Sequence, residues 1–334
     1  MTTEDPALLP PPPADRPETP GGARARRGRL LVDVRAVSLH PVARYLRAFG
    51  RTPGEVPEGA LAWDASGQVV DVSDDASLYR VGDTVCFPAG VLAPGERPPA
   101  RCWVDELHAG FKPDSLSHAE AAVLPLHALT ADEAVFECLG LDRDGANAGQ
   151  TLLVSGAASG LGALVVQLGR RAGLKVLAVL PSPTGERWVA DLGAHHVFQP
   201  STWWAGVQAL AGSGVDHVAL LGAPELGAGI VDVVGPGGAL VQVEGAAADL
   251  PLDALRAKGV RVSSPFGSPR PGRLGTGSDE FCYVLNDFAL EIDAGHVRSP
   301  LTSVLRPLDA DHLQRACEAL GACDSIGHIA LAMD

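Results

Sequence analysis

From Arg29 the chain begins to alternate. In Leu30–Val37 (LLVDVRAV) apolar and polar residues take turns, the period of a strand with one buried face. Strand-like runs return at Gln68–Val72 and Asp83–Phe87, divided by Gly, Pro and Asp turns, and convincing helical periods are few before about Leu126. This part predicts a β-rich unit. At Thr151 the texture changes. Thr151–Ser155 (TLLVS) reads as an apolar strand, and after a glycine-rich turn Leu161, Leu164, Val165, Leu168 and Ala172 recur at helical spacing, with Gly173 as the stop. Further strands are predicted at Lys175–Leu180, His196–Phe198, His217–Leu221, Ala239–Val243 and Val260–Ser263. Helical stretches lie between most of them, at Gly185–Leu192, Thr202–Ala211 and Glu225–Val234. Such alternation predicts a doubly wound parallel sheet with helices on both faces. A helix over Asp279–Ala294, a second from an Asp309 N-cap to Leu320 and a strand over Gly327–Ala332 close the chain.

The turn between the first parallel strand and its helix is Gly156-Ala157-Ala158-Ser159-Gly160-Leu161-Gly162. In the strand–turn–helix context its glycines let a pyrophosphate approach the backbone, and the helix N-terminus supplies N–H donors and a positive dipole end. The spelling also resembles the loop of short-chain dehydrogenases, which need a Lys four residues after a Tyr. The residues four beyond Tyr45, Tyr79 and Tyr283 are Phe49, Asp83 and Asp287, so that reading fails. A site for NAD wants an acid at the end of the second strand to hold the ribose 2′-hydroxyl. Leu180-Pro181-Ser182 offers none, whereas Ser182, Thr184 or Arg187 could meet a 2′-phosphate, which favours NADPH.

Composition narrows the partners. Lys and Arg number 26 against 40 Asp and Glu, a net charge of −14 that repels nucleic acid and anionic lipid. No apolar run approaches a membrane span. Six cysteines without a CxxC or a nearby His in a chain able to build a large core imply reduced thiols and a cytoplasmic protein. Residues 1–28 are proline-rich and end in a basic cluster, which predicts a flexible leader or a partner-docking arm.

Seven segments in one order carry a family resemblance: VSLHPVARYLR (37–47), WDASGQVV (63–70), GDTVCFPAG (82–90), KPDSLSHAEAAVLPLHALTADEAVF (112–136), VSGAASGLGALVVQLGR (154–170), LGAHHVF (192–198) and SIGHIAL (325–331). The chain resembles the zinc-free medium-chain dehydrogenase/reductases, in their quinone oxidoreductase and enoyl reductase branch, closest to zinc-type alcohol dehydrogenase-like proteins that lack zinc. The resemblance implies a GroES-like substrate unit from 29–126 plus 297–334, with a Rossmann unit for NADP(H) at 127–296, and a homodimer. It implies hydride transfer from NADPH to a carbon conjugated to the carbonyl of an enone, quinone or enoyl-type small molecule. The Ala-, Gly- and Pro-rich composition and the altered cleft add, as an expectation, a secondary-metabolite substrate such as that of a polyketide-like tailoring step. Thr130 matches the threonine beside the nicotinamide ribose. Gly222, Ala223, Glu244 and Gly245 match stretches that border the nicotinamide. A zinc dehydrogenase needs a Cys, a His-Glu pair and a further Cys or acid; no His-Glu pair exists, so no metal is expected.

Several positions depart from that pattern. His40 and Ala43 replace an Asn and an Asp of the cleft, Asp132 stands where an aromatic is usual, and His328 replaces a lysine. His40 reads either as a cleft imidazole that gives the proton after hydride arrival, or as a polar residue pinning a turn before Pro41. Tyr45 reads as a proton donor or, from its spacing to Leu46 and Phe49, as packing; His127 reads as structural, and Trp203-Trp204 as packing. These departures also keep open a protein of the same fold that has lost hydride chemistry and serves as a ligand binder, cyclase or isomerase.

Overall fold

The computed structural model describes residues 28–221, 226, 229–243, 250–266, 281–320 and 325–333. Two sheets organise it. The first is mainly antiparallel and runs β12-β13-β1-β2-β3-β5, with β4 pairing with the first residues of β1, ahead of those that pair with β13. Its strands are β1 (Arg29–Pro41), β2 (Leu61–Val72), β3 (Thr84–Leu92), β4 (Arg101–Asp105), β5 (Gly110–Phe111), β12 (Leu301–Leu305) and β13 (His328–Ala332). The alternation of Leu30–Val37 puts Leu30, Val32 and Val34 into a core with Val69, Val85, Phe87 and Leu331. At its far end β1 is buried on both faces, Val37 to His40 without a break. That is where α2 (His118–Ala122) and the tail strand β13 close over it: Ala36 packs with Ala119, Ala122 and Ala330.

The expected strand at Gln68 begins seven residues earlier, at Leu61. The reason lies in Trp63, Asp64 and Ser66, which are buried by pairing with both β1 and β3, so polar side chains there do not mark a loop. Short helices the alternation did not announce also lie in this part: α1 (Val42–Ala48), α2, and α3 (Pro125–Asp132), which runs on into a wider helical turn at Glu133–Cys138. Ser117 caps α2 with a capping box to Glu120.

The second sheet is parallel and runs β11-β10-β9-β6-β7-β8. Its strands are β6 (Thr151–Ser155), β7 (Lys175–Val179), β8 (His196–Phe198), β9 (Val215–Leu220), β10 (Val234–Gln242) and β11 (Arg261–Ser263). Counted from β6, this is the 3-2-1-4-5-6 order of dinucleotide-binding sheets. Both faces are covered, as the runs of apolar residues require. Leu152, Val154, Val176, Ala178 and Val241 face α3 and α4 (Gly160–Arg171), together with α9 (Phe281–Asp293). Leu153, Leu177, Val218, Leu220 and Leu240 face α6 (Trp203–Leu210), α7 (Ile230–Val233) and α8 (Leu252–Ala257). The remaining helices are α5 (Glu186–Asp191), held between Gly185 and Leu192, and α10 (Ala310–Leu320), whose first turn Asp309 caps through the His312 N–H at 2.8 Å. Trp203 is buried and Trp204 exposed, so only the first packs. No helix among the described residues is long and apolar enough to cross a membrane.

Candidate active site at the glycine loop

The glycine loop lies where the two sheets meet. β6 ends at Ser155, and Gly156 turns the chain at φ +66°, close under the Leu221 carbonyl. Ser159 then caps α4: its Oγ accepts the Gly162 N–H at 3.0 Å and donates to the Gly156 carbonyl at 2.9 Å. A Cβ on Gly162 would overlap the Gly156 carbonyl oxygen, so the loop folds this tightly only with glycine there. The result is a helix of twelve residues whose free first-turn N–H groups point from a glycine-lined turn, a ready place for an anion.

At the end of β7, Leu180 is buried and no carboxylate follows it. Among the described residues, Ser182 Oγ is buried without a hydrogen-bond partner, whereas Arg187 extends into solvent and lies 3.9 Å from Asp191. A glycine cradle with a partnerless hydroxyl beyond it suits an anionic dinucleotide. Ala157, Ala158 and Leu161 are buried beneath the loop and act through its shape. Thr130 is buried in α3, and its hydroxyl donates to the Leu126 carbonyl one turn back at 2.6 Å. Gly222, Ala223, Glu244 and Gly245 lie outside the described residues.

Beside the loop stands a polar cluster. The β1–β2 register pairs Ser38 with Asp64 and His40 with Ala62, and the period of two puts all three polar side chains on one face. His40 is fully buried; its Nε2 lies 2.9 Å from Asp64 Oδ2 and 3.0 Å from Ser38 Oγ, which itself donates to the Ala122 carbonyl. Asp64 Oδ2 also accepts the Leu126 N–H at 2.7 Å, tying the start of α3 to β2. His127 and His328 close over the His40 ring, with centroids 4.6 and 4.8 Å away. A cavity of about 300 Å³ opens in front of them, lined among others by Leu39, His127, Ser159, Gly160, Thr302 and His328. His40 sits behind the two lining rings.

Tyr45 stacks on Phe49 at 4.3 Å, and burial pushes its hydroxyl up to about 12, with Arg51 pulling it down and Asp64 adding to the rise. A phenol so placed holds its proton. Asp132 pairs with Arg143 at 2.6 Å rather than facing a substrate. Of the candidates, the structure brings the loop to the edge of the histidine cluster. Sequence reading gave no role to Asp64 and Ser38 and noted His127 and His328 singly. A signal existed: polar residues at positions of β1 and β2 that the pattern of burial makes internal.

Residues 160–273 match the family model for zinc-binding dehydrogenases. A zinc-type alcohol dehydrogenase-like protein of Staphylococcus epidermidis is 25% identical over 308 residues, 90% of each chain. The mouse quinone oxidoreductase is 32% identical over 176 residues, 51% of this chain and 49% of that one. The crystal structure of a candidate zinc-dependent alcohol dehydrogenase from Rhizobium etli CFN 42 superposes with a TM-score of 0.76 at 31% identity, covering 94% of this chain and 91% of that one. Likeness of that extent, on a GroES-like sheet joined to a Rossmann sheet with its glycine loop at the junction, makes this chain an oxidoreductase of the medium-chain dehydrogenase/reductase superfamily.

Proposed function

We propose that the protein is an NADPH-dependent reductase acting on a carbon conjugated to a carbonyl, in an enone, a quinone or an enoyl compound. The observation that carries the coenzyme choice is the end of β7, where a buried, partnerless Ser182 hydroxyl stands in place of a carboxylate. Bound NADPH would supply the hydride. The chain's own residues do the rest. The Gly156–Gly162 turn and the first N–H groups of α4 hold the pyrophosphate, and Ser182 with Arg187 receives the 2′-phosphate. Thr130 lies along the nicotinamide side, as the resemblance implies. The cavity in front of His127 and His328 holds the substrate, and a cleft donor, His40 or water, completes the addition with a proton. In this scheme Asp64 fixes the orientation of the His40 ring behind the two rings that line the cavity. The quinone oxidoreductase relative supports the substrate class.

Titration of the purified chain with NADPH and NADH, followed by nicotinamide fluorescence, tests this reading. NADPH is expected to bind more tightly. Ser182→Asp should shift the preference toward NADH by about tenfold or more, since a charge-assisted hydrogen bond is lost and a like charge is placed against the phosphate. Absence of NADPH binding, or a preference unmoved by Ser182→Asp, overturns the assignment. NADPH binding without NADPH consumption across a panel of enones and quinones would instead make the protein a ligand binder of the same fold.

A further inference from the structure

His40, His127 and His328 come from β1, α3 and β13, far apart in the chain, and meet in one place. One ring nitrogen from each lies within 4.8 Å of the other two. His40 and His328 stack nearly parallel, 10° apart, and His127 stands edge-on to both, 4.6 and 4.5 Å between centroids. In each ring one nitrogen is engaged by an acceptor. His40 Nε2 donates to Asp64 Oδ2 at 2.9 Å. His127 Nδ1 donates to the Val123 carbonyl and His328 Nε2 to the Leu39 carbonyl, each at 2.9 Å. A neutral imidazole has one donor and one lone-pair nitrogen. Those three bonds therefore assign the lone pairs to His40 Nδ1, His127 Nε2 and His328 Nδ1.

Histidines whose second nitrogen is held by a carbonyl or carboxylate are the ones proteins use as metal ligands, because the bond fixes the ring and raises its basicity. Two observations point further. Among the described residues, His40 Nδ1 is buried without a hydrogen-bond partner, an unfavourable state that a bound cation would relieve. The fully buried Asp64 carboxylate, with Oδ1 also unpartnered, places a negative group behind His40 that a cation would need.

We propose that His40, His127 and His328 bind a first-row divalent cation, Zn²⁺ foremost, with Asp64 as the outer-shell partner. Imidazole nitrogens suit such ions. Ligand nitrogens on one tetrahedral zinc stand about 3.3 Å apart and an imidazole lone pair lies in its ring plane, so the three rings must close in, and the His40 and His328 rings must turn out of their stack, to meet one ion. Three protein ligands leave a further coordination position for water or a substrate oxygen, and two of the three histidines line the cavity beside the glycine loop. The set differs from the Cys, His-Glu and Cys ligands of the zinc dehydrogenases and replaces the expectation of a metal-free cleft. The inference is independent of the reductase reading, because metal binding and NADPH binding are measured separately on one preparation.

The full chain, stripped with chelator and dialysed, is titrated with Zn²⁺ by calorimetry and with Co²⁺ by visible absorption. One equivalent per chain and a Co²⁺ ligand-field band of tetrahedral intensity are expected. His328→Lys, which installs the lysine usual in this family, and His40→Asn should each weaken binding by more than about 100-fold, and Asp64→Asn by about 10–100-fold. His296→Gln, on the exposed surface, should leave it unchanged. Circular dichroism and melting of each variant separate loss of a ligand from loss of fold. Absence of saturable binding by the unaltered chain overturns the proposal, as does binding that survives both His328→Lys and His40→Asn in folded protein.

Discussion

At the scale of single residues, the tightest coupling in the site is between Gly160 and His127. A Cβ on Gly160 would come within 2.6 Å of His127 Cε1 and 3.1 Å of both ring nitrogens. That ring cannot swing aside freely, because it is bonded to Val123 and packed against His40 and His328. Gly160→Ala should therefore cost about 1–3 kcal/mol, the usual penalty of overpacking, although alanine is otherwise the better helix former. In a His127→Ala background the same change should cost nothing or stabilise slightly. Urea unfolding of the four proteins of this cycle measures it; equal costs in both backgrounds would contradict the contact. The pair also shows where sequence reading stops. Gly160 is legible from its turn, and His127 is legible as a buried ring, but their contact joins residues 33 apart that no local period relates. His40 was visible as an unusual polar residue before Pro41. Its partner Asp64 was not, since an acid inside WDASG looks solvated until the β1–β2 register places it under Ser38.

Elements show the opposite balance. Strand–helix alternation and the apolar spacing of α4 were legible because each depends on neighbours within two turns, and β8 falls where the pattern put it, at His196–Phe198. The return of the tail depends on one glycine. Gly327 precedes β13 at φ +61°, and its N–H donates to the Ala158 carbonyl at 2.7 Å, so the last strand is fastened to the glycine loop itself. A side chain there would be in the left-handed region and would overlap the Pro300 carbonyl oxygen and Thr302. Gly295, just past α9, has a similar φ of +76° with open space around it. Gly295→Ala should cost only the conformational penalty of about 1–2 kcal/mol. Gly327→Ala adds a backbone collision, should exceed that cost, and should weaken NADPH binding by loosening Ala158. Melting temperatures and NADPH titrations of the two variants decide the matter; equal losses in both would mean the tail does not brace the loop.

The whole molecule joins its sheets through contacts between distant segments, and these set how it responds to solvent. Phe111 at the end of β5 donates its N–H to Asn286 of α9 at 2.8 Å, and Asp293 accepts the N–H groups of Asp114 and Ser115 at 3.0 and 2.9 Å. None of these pairings had a sequence signal, because each side is an ordinary polar residue on its own element. Closing the molecule this way buries thiols as well as apolar side chains. Burial pushes Cys86 up to about 12, with the Asp64 charge adding to it, and burial alone does the same to Cys102. In the unfolded chain both titrate near 9.0. Above that pH the unfolded state sheds protons that the folded state keeps, so unfolding grows more favourable as pH rises. The stabilising difference is complete below about pH 9 and is lost progressively toward about pH 12. Tyr79, whose hydroxyl donates to the Ala109 carbonyl, is raised by burial too and acts in the same direction from about pH 10. The melting temperature should therefore hold steady between neutrality and about pH 9 and then fall. Replacing Cys86 and Cys102 together by Ala should lower stability at neutral pH, through the space left behind, yet make the alkaline decline shallower. A double variant that loses stability with the same pH slope as the parent chain would show that these two thiols do not drive the alkaline loss.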